Sequence, residues 1–324
     1  MASVARNALM AALLAGASLL SGCSTFEAAS LEPETVFATT QSNRLVRFSA
    51  GAPARLASGR SISGMQPGEQ VAGLDFRPAN GRLYALGTAG QLYVVDPVTA
   101  MAQPVGPGGL RTLVMDEVGF AFDPATDRIR MVTVAGYNLR LDPDTGLLVD
   151  GDPAAAGLQS DAPLDYGPTE FEHGLAPRLA GVAIVHLPAS GARPAFTTQY
   201  AIDRSTRTLV TQGALEHTHP RPPLQSGQLF TVGRLAIDLG DGPLSFDAKD
   251  PRLALLCVSR GVRSELYRVD LRTAAVEPLG RIALDEPVTA IAMAPRLRGG
   301  GTAAAAATAT ATKTTTAAAA AGTR

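Results

Sequence analysis

The residues of this chain that could do chemistry by type and spacing are few. Histidine occurs four times, and His217 and His219 form the one close pair. Alternate residues of a strand share a face, so two imidazoles at that spacing could grip one metal ion. Pro220, Pro222 and Pro223 make the segment a surface loop instead, and no third ligand stands beside it. His173, close to Glu170 and Glu172, could supply further ligands if its segment meets that of His217. His186 closes an apolar run and is expected to be hydrogen-bonded or open to solvent. Cys257 lies in a Leu-Ala-Leu-Leu-Cys-Val run, the setting of a buried, unreactive thiol. No glycine-rich phosphate loop, nucleophile elbow, zinc-protease helix or paired-cysteine motif occurs. No cofactor is expected.

The elements that must hold these residues repeat. The clearest unit runs Gly73-Leu-Asp-Phe-Arg-Pro78, Gly81-Arg-Leu-Tyr-Ala-Leu86, Gly90-Gln-Leu-Tyr-Val-Val-Asp96-Pro-Val-Thr99 and Gln103-Pro-Val-Gly106. A second begins Gly119-Phe-Ala-Phe-Asp-Pro124 and ends Asp142-Pro-Asp-Thr-Gly146, and a third runs from Leu244 to Gly280. A weaker copy extends from Gly181 to Gly233, and a last one is divided between Val36 to Ser49 and Val288 to Ala294. Each offers about four short strands at a period of about 45 residues, which predicts an all-β propeller. The reading is about five four-stranded blades, or six if Gly157 to Leu179 hides another. Pairing of the N- and C-terminal strands would close the ring and remove its exposed edges.

Aligning the copies places Leu74, Phe120, Val182, Leu244 and Ile291 at one position of the innermost strand. Phe76, Phe122, Ile184, Phe246 and Met293 fall two residues on, on the same face. Between them stand Asp75, Ala121, Ala183, Ser245 and Ala292, so Asp75 is the one charged residue among small ones. It would mark a polar channel if that face lined one, or else satisfy strand-edge amides. The recurring Asp96-Pro-Val-Thr99, Asp142-Pro-Asp-Thr145 and Asp270-Leu-Arg-Thr273 read as type I turns in which Asp accepts following amides.

Composition narrows the partners. Twenty-nine acidic and 28 basic residues leave a net charge of −1, so no basic field exists to hold a nucleic acid. Tryptophan is absent, which weakens a carbohydrate-binding reading. The start of the chain carries Arg6 and an apolar stretch from Ala8 to Leu20, too short to span a bilayer comfortably. It closes with Leu20-Ser21-Gly22-Cys23, which resembles the lipobox of bacterial lipoproteins. That resemblance implies cleavage before Cys23 and a membrane partner held through lipid on its sulfur, where several acyl chains give lasting anchorage. Ser24 after the cysteine favours an outer-membrane lipoprotein facing the periplasm. The expected organisation is a signal peptide over 1–22, a lipidated linker over 23–34, the propeller over 35–296 and a disordered Ala/Thr-rich tail over 297–324.

Val71-Ala-Gly-Leu-Asp-Phe-Arg-Pro78, Gly81-Arg-Leu-Tyr84, Asp127-Arg-Ile-Arg130, Asn138-Leu-Arg-Leu-Asp-Pro-Asp-Thr-Gly146 and Thr208-Leu-Val-Thr211 together resemble a bacterial family known as domain of unknown function 4394. The resemblance covers most of the body and implies an exported, repetitive β architecture. It brings no catalytic residues. This chain departs from the family pattern between Leu158 and Arg178, where Asp161, Asp165, Glu170, Glu172 and His173 stand, and again between Glu216 and Pro223. The expected function is a lipid-anchored, non-catalytic propeller of the cell envelope that binds an envelope protein or a small molecule. The alternative is a metal-assisted, lactonase-like hydrolase with ligands among Asp75, His173, His217 and His219.

Overall fold

Glycine, proline and Asp-Pro turns keep each apolar run short, so the chain is laid out as a succession of strands. The computed structural model describes residues 34–108, 110, 117–191, 195–213 and 222–295. Cys23, His217, His219 and the Ala/Thr-rich tail lie outside the described residues.

In chain order the strands are β1 (Thr35–Thr40), β2 (Arg44–Ser49), β3 (Leu56–Ser61), β4 (Val71–Phe76), β5 (Leu83–Gly87), β6 (Leu92–Val95) and β7 (Ala102–Val105). There follow β8 (Val118–Asp123), β9 (Arg128–Thr133), β10 (Asn138–Leu141), β11 (Asp165–Tyr166), β12 (Leu179–Leu187), β13 (Phe196–Asp203) and β14 (Thr208–Gln212). The last are β15 (Gln228–Arg234), β16 (Leu244–Asp250), β17 (Leu253–Arg260), β18 (Arg263–Val269), β19 (Val276–Arg281) and β20 (Val288–Met293).

They form five sheets, ordered β4-β5-β6-β7, β8-β9-β10, β12-β13-β14-β15-β11, β16-β17-β18-β19 and β20-β1-β2-β3. The innermost strands β4, β8, β12, β16 and β20 follow one another around a ring, and β20 meets β4 again. This is a five-bladed propeller. The segment 157–179 holds no sixth blade: its strand β11 adds a parallel partner to β15 on the outer edge of the third. Among the described residues the second blade has three strands, and a single Leu141–Leu148 bridge stands at its outer edge.

Closure is achieved as the divided repeat predicts. β1 pairs antiparallel with β20, Val36 opposite Met293 and Ala38 opposite Ile291. The Ala294 amide donates to the Thr35 carbonyl at 2.9 Å, so the first and last strands finish side by side.

Five separate apolar clusters fill the five gaps between neighbouring blades. In each, the large residues of one inner strand pack on the preceding blade. Leu74 and Phe76 meet Ala290 and Ala292, Val182 and Ile184 meet Ala121, and Leu244 and Phe246 meet Ala183. Large against small is what allows wedge-shaped neighbours to converge at the centre. Glycine sets the closest approach. A Cβ on Gly73 would lie 2.6 Å from Phe120 Cβ, and one on Gly119 would lie 2.5 Å from Val182 Cγ2.

Charged side chains tie the blades on the face where the inner strands end. Arg77 reaches from the first blade to the second, donating to Asp127 at 2.6 and 2.9 Å and to Asp144 at 2.5 and 3.2 Å. Its guanidinium holds the Asp127 and Asp144 carboxyls below the usual carboxylate range. Lys249 pairs with Glu34 across the fourth and fifth blades.

Candidate functional site

The inner strands begin on the opposite face, where the connections between blades and the turns β5–β6, β9–β10 and β13–β14 surround the central opening. Each blade brings a polar residue there. Gln70 precedes β4, Glu117 precedes β8, Arg178 precedes β12, Asp241 stands before β16, and Thr289 lies within β20. These residues line a hollow of about 370 Å³. A second hollow of about 540 Å³ adjoins it, shares Glu117, Arg178 and Asp241, and extends to Arg204, Ser205, Arg207 and Asp238.

One arginine fixes this rim. Arg204, in the β13–β14 turn, donates from Nε to both Glu117 oxygens at 2.7 and 2.8 Å. Its other nitrogens donate to the carbonyls of Leu239 at 3.3 Å, Gly240 at 2.7 Å and Gly242 at 2.5 Å. Parts of the second, third and fourth blades are thereby clamped by a single guanidinium, whose planar fork suits several acceptors at once. Asp203 steadies the same turn by accepting from the Ser205 amide at 2.7 Å, the Arg178 amide at 3.3 Å and the Tyr166 hydroxyl at 2.6 Å.

Above this framework Arg178, Arg207 and Asp241 are exposed, and their side chains form no ion pair among the described residues. Arg207 also occupies the left-handed region at φ 57°. The same conformation recurs at Asn43, Ala100, Asp127 and Ala274, each in the turn between two strands of a blade, so it belongs to the turn geometry. Asp238 is 78% exposed and lies 3.8 Å from Arg260.

Behind the opening, the polar groups of the inner strands are committed. Asp75 points at the following blade, where Oδ2 accepts the Phe122 amide at 2.7 Å while Oδ1 accepts its neighbour Phe76 at 2.7 Å. Ser245 accepts the Ile291 amide at 2.9 Å, and Asp247 accepts that of Met293 at 2.6 Å. Side chains of one blade thus satisfy the inner-edge amides of the next, which have no further strand to pair with. Burial raises the Asp75 carboxyl well above the usual range, the Asp247 charge raises it further, and the two amides pull it back. Burial also raises Asp247.

The remaining residues marked in the sequence are dispersed. His173 is exposed in the connection after β11, its Nδ1 2.9 Å from the Tyr166 carbonyl. Glu170 and Glu172 bind Thr231 of β15, the former accepting its amide at 2.8 Å and the latter its hydroxyl at 3.1 Å. His173 therefore belongs to the outer part of the third blade and Asp75 to the inner strand of the first, so the two do not form one ligand set. Among the described residues no group of three or more His, Cys, Asp or Glu could hold a metal ion. His186 Nδ1 sits 2.8 Å from the Thr197 hydroxyl. Cys257 is buried and unpaired, and burial pushes its thiol up to about 12.

Glu117, Arg178, Arg204 and Asp241 went unmarked in the sequence, because they come from four different connections. A usable signal exists once strand register is known: a polar residue stands at or just before the start of each inner strand.

The sequence profile of the family described as Domain of unknown function (DUF4394) matches residues 44–292. No curated protein matches the chain. Among solved structures, it is similar to a chain of a nidogen/laminin complex at 12% identity, covering 81% of this chain and 98% of that one with a TM-score of 0.42. It is similar to the dihydro-heme d1 dehydrogenase NirN in complex with DHE at 13% identity, over 78% of this chain and 43% of that one, with a TM-score of 0.33. For BamB from Moraxella catarrhalis the identity is 14%, the coverage 74% and 56%, and the TM-score 0.30.

Proposed function

The chain belongs to the family described as Domain of unknown function (DUF4394), and from that premise we propose that it is a non-catalytic binding propeller of the bacterial cell envelope. In this reading it is carried on the outer membrane by lipid on Cys23 and faces the periplasm. Its binding surface is the opening framed by Gln70, Glu117, Arg178, Asp241 and Thr289. The observation that carries the reading is the contrast between this opening and everything behind it. The rim is clamped by Arg204 yet leaves Arg178 and Asp241 exposed without ion pairs among the described residues. The carboxyls of the inner strands already serve backbone amides. A rigid frame with free charged groups is suited to holding a ligand, since little ordering is left for binding to supply.

Two measurements test it. Equilibrium dialysis against a small-molecule extract of the envelope, read by mass spectrometry, should enrich a compound on the wild-type chain and lose it on Arg178→Glu. Equal enrichment, or none, removes the opening as the binding surface. For the anchor, the wild-type chain should sediment with membranes and Cys23→Ser should not. If both sediment alike, the lipid on Cys23 is excluded as the tether.

A further inference from the structure

We infer that the opening takes a zwitterion, a free amino acid or short peptide with both termini unblocked; this rests on the binding reading above and names its ligand class. The 540 Å³ hollow is walled by opposite charges on opposite blades. Arg178, just before β12, and Arg207, at the end of the β13–β14 turn, stand on the third-blade side, and Asp203 joins them by accepting the Arg178 amide while organising that turn. Asp238 and Asp241 belong to the connection that leads into the fourth blade. Arg204 and Glu117 satisfy each other between them, so the floor adds no net charge.

This layout selects by charge at both ends. A purely anionic ligand drawn to the arginines would meet Asp241, since Asp238 already pairs with Arg260, and a purely cationic one would meet the arginines. A ligand carrying a carboxylate and an ammonium puts each against its opposite, and the carboxylate suits the guanidinium fork. The lining holds one aliphatic side chain, Leu239, and no aromatic ring, so apolar and sugar-stacking ligands find little to rest on. The size agrees, because clefts of roughly 300–1,000 Å³ hold small organic ligands. Both walls are fixed in advance: the Leu235 amide donates to the Arg207 carbonyl at 2.9 Å, and Arg204 holds the carbonyls on either side of Asp241.

Calorimetric titration of the purified chain with trialanine, N-acetyl-trialanine and trialanine amide tests the assignment. Trialanine should bind, and blocking either end should weaken it about tenfold or more, the usual weight of a hydrogen bond to a charged group. Arg178→Ala should erase the penalty for the amide, and Asp241→Ala the penalty for acetylation. Both sites are exposed, so melting curves of the variants should match wild type and exclude misfolding. Equal affinity for all three peptides, or no saturable binding of trialanine at millimolar concentration, overturns the zwitterion. If dialysis still shows an Arg178-dependent ligand in that case, only the ligand class falls. If dialysis also fails, the opening is not a binding surface at all.

Discussion

At the scale of single residues, the instructive position is Asp75. Its isolation among small residues was legible in the sequence, and so was the choice between channel marker and amide acceptor. The decision was not, because it depends on Phe122, a residue 47 positions away on the next blade. Replacing Asp75 by Leu leaves the Phe76 and Phe122 amides without acceptors, and each such loss costs about 1–3 kcal/mol. The urea midpoint of Asp75→Leu should fall accordingly, and an unchanged midpoint would show that water serves those amides equally well. The pair with Asp247 gives a pH signature. Burial raises both carboxyls, so the folded chain holds their protons more tightly than the unfolded one. Their contribution is therefore complete below the ordinary carboxylate value, about 4, and is lost as pH rises through the raised folded values. Stability measured by denaturant should decline across that rise in the wild type and decline less in Asp247→Asn. Identical slopes would show that Asp247 holds no raised carboxyl in the folded chain.

At the scale of strands and turns, sequence was most informative where the physics is local. The Asp-Pro turns form as their residues dictate, with the Val98 and Thr99 amides donating to Asp96 at 2.7 and 2.9 Å and those of Asp144 and Thr145 to Asp142 at 3.0 Å. The alternation of large and small residues along the inner strands also translates directly into packing. Gly119 shows how tight that packing is, with Val182 Cγ2 and Val132 Cγ2 both within 3 Å of a would-be Cβ. Both neighbours are β-branched and stiff, so Gly119→Ala should cost about 1–3 kcal/mol of overpacking, visible as a lowered melting temperature. Connections behave differently. Those that build the opening have no shared motif, since their residues meet only after several blades are in place. Arg207 is a useful case, an exposed side chain held at φ 57°. Arg207→Gly relieves that conformation and should stabilise the chain by about 1 kcal/mol. It should also weaken trialanine binding, because it removes one of the two guanidinium groups of that wall. A variant that is no more stable would mean the turn is relaxed as it stands.

At the scale of the molecule, the five-fold repeat and its closure were readable because the last unit is visibly split in two. The ring depends on that split. Without β20, the fifth blade loses its inner strand, and the first and fourth blades lose the neighbour that covers them. Connectivity across the junction matters less than the pairing itself, since Ala294 and Thr35 are already hydrogen-bonded. A circular permutant that joins 295 to 34 by a short linker and opens the chain between β7 and β8 should melt within a few degrees of wild type. A large drop would mean that chain order, not the closed ring, sets stability. The place where the ends meet has one more consequence. β20 starts at the rim that carries Thr289 and runs to the far side of the disc, where β1 sets out, so both ends depart from the surface opposite the opening. A support joined to either end of the described residues would therefore meet the disc on the side away from the charged bowl, which is left facing outward.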